Sequence, residues 1–331
     1  MDYNLLLVLV AVALTFDFLN GFNDSANIVA TMISSGAMGP RRALVLASVA
    51  EFSGPFLFGT AVAATIGEGI VSPEMITSGV ILAALGSAIL WDLLMWYFGL
   101  PSSSSHALIG GLVGAAVMAA RGIGTIHLAG LLKVIVSLLV APLLGIVGGY
   151  LFMKLVLFLA RGASPKVNAF FKRLQVPTSI ALALSHGTND AQKTMGLITM
   201  ALVTLGFAKT FVVPVWVIVL CATAISLGVV TGGWRIIRTL GAGMYRIRPV
   251  HGFSTQLTSA AVILGAALLG GPVSTTQVVS SAIMGVGSAE RLSKVRWAVA
   301  GNILLAWLVT IPASIVMAAI FYLAIQRLFG P

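Results

Sequence analysis

Two short runs carry most of the polar chemistry of this chain: Gly21-Phe22-Asn23-Asp24-Ser25-Ala26-Asn27 and Gly187-Thr188-Asn189-Asp190-Ala191-Gln192-Lys193. Each sets a carboxylate beside a carboxamide inside a long apolar stretch. Hard oxygen donors of this kind suit Na⁺ or a proton, and an acid at membrane depth is costly enough to mark an ion path. The glycine in each run weakens a helix. The Asn20-Gly21 pair therefore predicts that the first long helix is broken there, and either run, if its helix opens, frees backbone carbonyls as further ligands. The candidate cation ligands are Asn23, Asp24, Asn27, Asn189 and Asp190, with Na⁺ placed at Asn23, Asp24, Asn189 and Asp190. Glu51, an acid within the next apolar stretch, joins them. One such run is readily explained as an Asp capping a helix; two at matching places point to a binding site.

A second pair of runs offers anion chemistry. Pro101-Ser102-Ser103-Ser104-Ser105 and Pro272-Val273-Ser274-Thr275-Thr276-Gln277 each precede an apolar segment. Pro fits a helix start, Ser and Thr cap its free amides, and a helix start with spare N–H groups holds anions. Taken singly, each run is an ordinary cap, but four hydroxyls in a row exceed what a cap needs. The candidate anion ligands are Ser102, Ser103, Ser104, Ser105, Ser274, Thr275, Thr276 and Gln277, with Gln192 and Lys193 from the second Asn-Asp run. No Arg lies in any of the four runs. A divalent anion beside Asp24 and Asp190 leaves a net negative site, so anion binding requires bound cations, which is the linkage behind symport. A carboxylate accepts a hydrogen bond only from a protonated anion, which favours hydrogen phosphate over sulfate. Asp17, Asp92, His106 and His186 are weaker candidates, each with a structural pairing as its plain alternative.

The elements that must position these groups follow from composition. Of 331 residues, 59% are hydrophobic and 8% charged, against about a quarter charged in a soluble domain. The chain reads as an all-α integral membrane protein, a multi-span helical bundle, because the apolar runs lack the alternation of a barrel. Its net charge of +10 reports cytoplasmic loops rather than nucleic-acid binding. A single cysteine, Cys221, excludes a disulfide framework, and no cofactor is expected. The N-terminus lacks a basic region and is not read as a cleaved signal peptide.

The chain then repeats itself. Asn23 and Asn189 are 166 residues apart, Pro101 and Pro272 are 171 apart, as are Gly114 and Gly285, and Pro142 and Pro312 are 170 apart. Nearly constant offsets mark a duplication. Residues 1–160 form the first repeat and 176–331 the second. Residues 161–175 form a basic linker expected to lie on the cytoplasmic surface as a separate amphipathic helix. The acidic loop at Glu68 and Glu74 corresponds to the basic loop at Arg235–Arg248, so equivalent loops should lie on opposite sides of the bilayer. That is the pattern of inverted-topology repeats, with broken or re-entrant helices, five passes per half and both termini outside.

At these residues the chain resembles the inorganic phosphate transporter family. The run at 21–27, the run His186-Gly187-Thr188-Asn189-Asp190-Ala191-Gln192-Lys193-Thr194-Met195-Gly196, the run Leu100-Pro101-Ser102-Ser103-Ser104-Ser105-His106 and the run at 272–277 look like its four motifs in order. The resemblance implies a plasma-membrane symporter that imports inorganic phosphate by alternating access, driven by Na⁺ or H⁺, as a homodimer. It implies that all four motifs line the substrate and ion site at the repeat interface. Glu51 resembles a family acid, but the equivalent stretch, Cys221 to Ser226, holds none. Competing readings are an H⁺-coupled or metal–phosphate symporter, an anion channel, and a hydrolase built on Ser105-His106. Adjacent helical residues do not face each other, so that dyad is geometrically poor.

Overall fold

The computed structural model describes residues 2–72, 75–244 and 246–329. Glu74, one of the acids expected in the first-half loop, lies outside them. The first half comprises α1 (Tyr3–Ser34), α2 (Pro40–Leu57), α3 (Ala61–Glu68), α4 (Ser78–Phe98), α5 (Ser104–Ala120) and α6 (Leu128–Leu159). The second comprises α7 (Val167–Thr204), α8 (Val215–Thr231), α9 (Trp234–Arg238, continued by a π-helical turn over Thr239–Gly243), α10 (Pro249–Leu268), α11 (Thr275–Glu290) and α12 (Trp297–Phe329). Both halves thus run long helix, bent pair, single helix, short helix, long helix. No β-strand occurs among the described residues. α1, α4, α6 and α12 are each long and apolar enough to cross a membrane, and the two bent pairs qualify when each is taken as one span. The bends measure 75° between α2 and α3 and 60° between α8 and the α9 segment.

The breaks therefore fall elsewhere than expected. Both Asn-Asp runs are continuous α-helix, inside α1 and α7, so no backbone carbonyls are released there. The glycines serve a different purpose. A Cβ on Gly21 would strike the carbonyl oxygen of Ile225 on α8, and one on Gly187 would strike that of Glu51 on α2. These glycines let two helix backbones touch, as small residues do between membrane helices. The linker also differs from expectation: residues from Val167 onward are the first turns of α7, with Phe171 and Gln175 buried and Phe170 exposed.

The halves exchange partners. α1 packs on α8 and α7 on α2; α5 packs on α12 and α11 on α6. The second exchange rests on the same kind of crossing, with Gly114 against the Ile315 carbonyl and Gly285 against that of Ile146. Two apolar clusters fill the interior. One takes Phe16 from α1 and Ala191 and Met195 from α7, with much of α3, α4 and α5. The other takes Ala26 and Ile28 from α1 and Leu182 and Ala183 from α7, with parts of α2, α10 and α11. The polar residues of α1 and α7 lie in the layer between these clusters.

Gly21→Ala should separate α1 from α8 and destabilise the protein by ~1–3 kcal/mol, the usual penalty of overpacking. Gly265→Ala, where an added Cβ meets nothing within 4 Å, should be neutral or slightly stabilising. Thermal unfolding of the two purified variants checks the contrast.

Candidate functional site

The site is assembled at the start of α11. Ser274 caps that helix, its hydroxyl accepting from the Gln277 N–H at 3.3 Å. The cap turns Thr275 and Thr276 toward α1 and α7. The Thr276 hydroxyl donates to Asp24 Oδ1 at 2.8 Å and accepts from Asn27 Nδ2 at 3.0 Å. Thr275 Oγ1 lies 3.0 Å from Asp24 Oδ2 and 3.0 Å from Asp190 Oδ2. A hydroxyl has one proton, so it serves one of these carboxylates at a time.

His186 holds the acids together from the other side. Its Nδ1 is 2.8 Å from Glu51 Oε1, and its Nε2 is 3.4 Å from Asp24 Oδ2 and 3.5 Å from Asp190 Oδ2. Lys193 Nζ sits 2.5 Å from Asp190 Oδ1, one helical turn along α7. Three carboxylates thus face one ammonium and one imidazole. All five side chains are buried; Asp24, at 4% exposure, is the most accessible. Charges removed from water persist only when paired and hydrogen-bonded, which is what this arrangement provides. Asp24, His186 and Asp190 can each turn one donor atom to a common point, with the three atoms within 4.8 Å of one another. Among the described residues, Asn23 Oδ1, Asn27 Oδ1 and Glu51 Oε2 are buried oxygens without a hydrogen-bond partner. Such orphaned acceptors fit a hard cation better than they fit a closed core.

The first half answers with neutral groups. Ser103 caps α5 through the His106 N–H at 3.1 Å, and Ser104 donates to Asn20 Oδ1 at 2.5 Å. Ser105 donates to the Val273 carbonyl at 2.9 Å. His106 Nδ1 meets Gln277 Nε2 at 3.0 Å, so residues at matching places in the two halves touch. Ser102 borders a void of about 10 Å³, room for one water, shared with Asn23, Asp24, Asp92, Ser104 and Thr276.

Several expected ligands are occupied otherwise. Gln192 accepts from the N–H groups of Val62 and Ala63 at 2.8 and 3.2 Å and donates to the Gly59 carbonyl at 2.7 Å. It caps α3 at the bend instead of facing the acids. Asn189 accepts from the Val273 N–H at 3.3 Å and donates to the Gly271 carbonyl at 3.2 Å, fixing the loop before α11. Asn23 donates to the Asp92 carbonyl at 3.2 Å. Opposite Glu51, at the equivalent crossing, stands Ile225, so the acid has no counterpart. The residues that sequence reasoning undervalued are His186 and Asn20. Their signal was available: they are offset by the same 166 residues as Asn23 and Asn189.

Among the described residues, four helices long and apolar enough to cross a membrane, with two bent pairs that qualify as one span each, mark a multi-pass membrane protein. The chain belongs to the phosphate transporter family, which it matches over residues 20–164 and again over 159–318. It is 45% identical to a protein of Bacillus subtilis described as a probable low-affinity inorganic phosphate transporter, over 99% of this chain and all of that one. A Rhizobium meliloti protein of the same description is 44% identical, over 97% of each chain. Among solved structures, "The sodium-dependent phosphate transporter" superposes with a TM-score of 0.89 at 26% identity, over 98% of this chain and 100% of that one. The family and its members are phosphate transporters rather than enzymes. Ser105 and His106 accordingly turn to Val273 and Gln277, not to each other.

Lys193→Met would strand Asp190 as a buried charge and should cost ~3–5 kcal/mol. Adding Asp190→Asn should recover part of that loss, as residues in one ion pair are non-additive. Chemical denaturation of both single variants and the double variant measures the coupling.

Proposed function

We propose that this chain is a secondary active symporter that imports inorganic phosphate across the plasma membrane, coupled to Na⁺, by alternating access. The observation that carries this reading is the Thr275 hydroxyl lying 3.0 Å from Asp24 of one half and 3.0 Å from Asp190 of the other. It places acids from both halves against the start of a helix with capping hydroxyls. Cations held by Asp24 and Asp190, with the orphaned Asn23 and Asn27 oxygens, would supply the charge a divalent anion needs. Phosphate would be received by the hydroxyls of the two helix starts, Ser102–Ser105 and Ser274–Thr276, with Gln277 beside them and Lys193 behind Asp190. Because the anion is stable there only with its cations, neither crosses alone. The sodium dependence named for the structural neighbour supports Na⁺.

The repeats are read as inverted, residues 1–160 against 176–331, with five passes each and both termini extracytoplasmic. The exchanged packing of equivalent helices supports this, as does the contrast between Glu68 at the end of α3 and the basic stretch Arg235–Arg248 that runs from α9 to the start of α10. Rocking of exchanged helices about the shared acids would expose the site to each side in turn. The transporter is read as a homodimer.

A second reading has one observation in its favour. His186 lies within 3.5 Å of Asp24, Glu51 and Asp190, and an imidazole among carboxylates is a natural proton carrier. A proton would then replace Na⁺ as the coupling ion. Labelled-phosphate uptake into liposomes under separately imposed Na⁺ and pH gradients separates the readings. Uptake should follow the Na⁺ gradient, and Asp24→Asn and Asp190→Asn should each lower it at least ~10-fold. Uptake driven by the pH gradient alone would favour the proton, and full activity in both variants would remove these acids from the site.

A further inference from the structure

The basic residues of the second half do more than line a membrane face. The loop entering α10 and the connection between α11 and α12 meet: the Arg296 N–H donates to the Met244 carbonyl at 3.0 Å, and Arg296 Nη1 donates to the Ala242 carbonyl at 3.2 Å. Between them lies a cavity of about 460 Å³ lined by Arg246, Arg248, Glu290, Lys294 and Arg296. Glu290 pairs with Arg248, and with Lys294 at 3.2 Å. One carboxylate thus stands against four cations converging from two connections, and the excess positive charge surrounds a space large enough for a polar headgroup.

The residues close in the chain to the cavity's lining residues Lys294 and Arg296 indicate its occupant. Leu292 is 64% exposed and Trp297 50% exposed. Both flank the cationic side chains where α12 begins, and α12 is a membrane-crossing helix. Trp at such a helix end sits at headgroup level, and basic pockets between membrane helices hold phosphate headgroups. The guanidinium groups can meet phosphate oxygens in pairs, while Leu292 and Trp297 offer apolar contact for the acyl chains. A free phosphate would use the cations and leave those two exposed.

We infer that Arg246, Arg248, Lys294 and Arg296 form a binding site for the phosphate headgroup of an anionic phospholipid, separate from the buried acids. This inference is independent of the transport reading, since it concerns another end of the molecule and is read out without transport. The site lies at the C-terminal end of α11, whose N-terminal end carries Thr275 and Thr276. A bound headgroup would therefore steady the helix that faces Asp24 and Asp190.

The test uses the full chain in nanodiscs of phosphatidylcholine, alone or doped with phosphatidylglycerol, and reads the unfolding temperature. Phosphatidylglycerol should raise it by several degrees, because a ligand that binds only the folded state stabilises it. The rise should be lost in Arg246→Gln/Lys294→Gln and kept in Arg41→Gln/Arg42→Gln, which removes equal charge from the first turn of α2. Inorganic phosphate added to phosphatidylcholine discs should not reproduce it. The single Arg246→Gln variant, expected to lose part of the rise, serves if the double variant does not fold. The inference is overturned by the absence of a rise in the parent protein, or by a rise that survives in Arg246→Gln/Lys294→Gln. It is equally overturned if both double variants lose the rise alike, which marks diffuse attraction, or if inorganic phosphate reproduces it, which marks an ion site.

Discussion

A carboxylate withdrawn from water must be held by something, and here three converge on a single imidazole. Glu51, Asp24 and Asp190 come from three helices, and His186 reaches all of them. Born-type costs for such groups run to several kcal/mol each even after relaxation. The cluster survives because every acid has at least one donor: Thr276 for Asp24, Lys193 for Asp190 and His186 for Glu51, with Thr275 shared between Asp24 and Asp190. The apolar packing above and below it, the caps of α5 and α11, and the exchange of helices between halves all serve to keep these donors in place.

That placement depends on how closely helix backbones approach. Glu51 can reach His186 because Gly187 brings α7 against the α2 backbone at Glu51 itself. The equivalent crossing in the other half, Gly21 against Ile225, has the same geometry without the acid. The two crossings thus share one frame, while the chemistry they carry is lopsided. His186 faces the acids where Asn20 faces Ser104, and a Thr pair faces carboxylates where a Ser pair faces an amide and a carbonyl.

Much of this was legible in the sequence. The apolar stretches, the paired motifs and their offsets gave the order of helices, and the Ser runs gave the caps at Ser103 and Ser274. The break at Asn20-Gly21 was misread for a physical reason. Glycine weakens a helix in isolation, but inside a packed bundle the same missing side chain admits a neighbouring backbone, and tertiary contact overrides propensity. Gln192 was misread similarly: its place beside Asp190 in the chain suggested a ligand, whereas helical geometry turns it away. His186 was undervalued because its partner position holds Asn20, a different residue type, and similarity of type is what a sequence comparison of two halves detects first.

Gln192 has a mechanical meaning. Two residues along an α-helix differ by about 200° in direction, so Asp190 and Gln192 project from opposite sides of α7. One is tied to the ion cluster and the other is clipped onto the α2–α3 elbow through Gly59, Val62 and Ala63. α7 is thereby held on both sides, by the acids on one and by the elbow on the other. Any roll of α7 about its own axis that swings Asp190 one way drags the elbow the other way. The two sets of hydrogen bonds tie the elbow and the acids to the same helix.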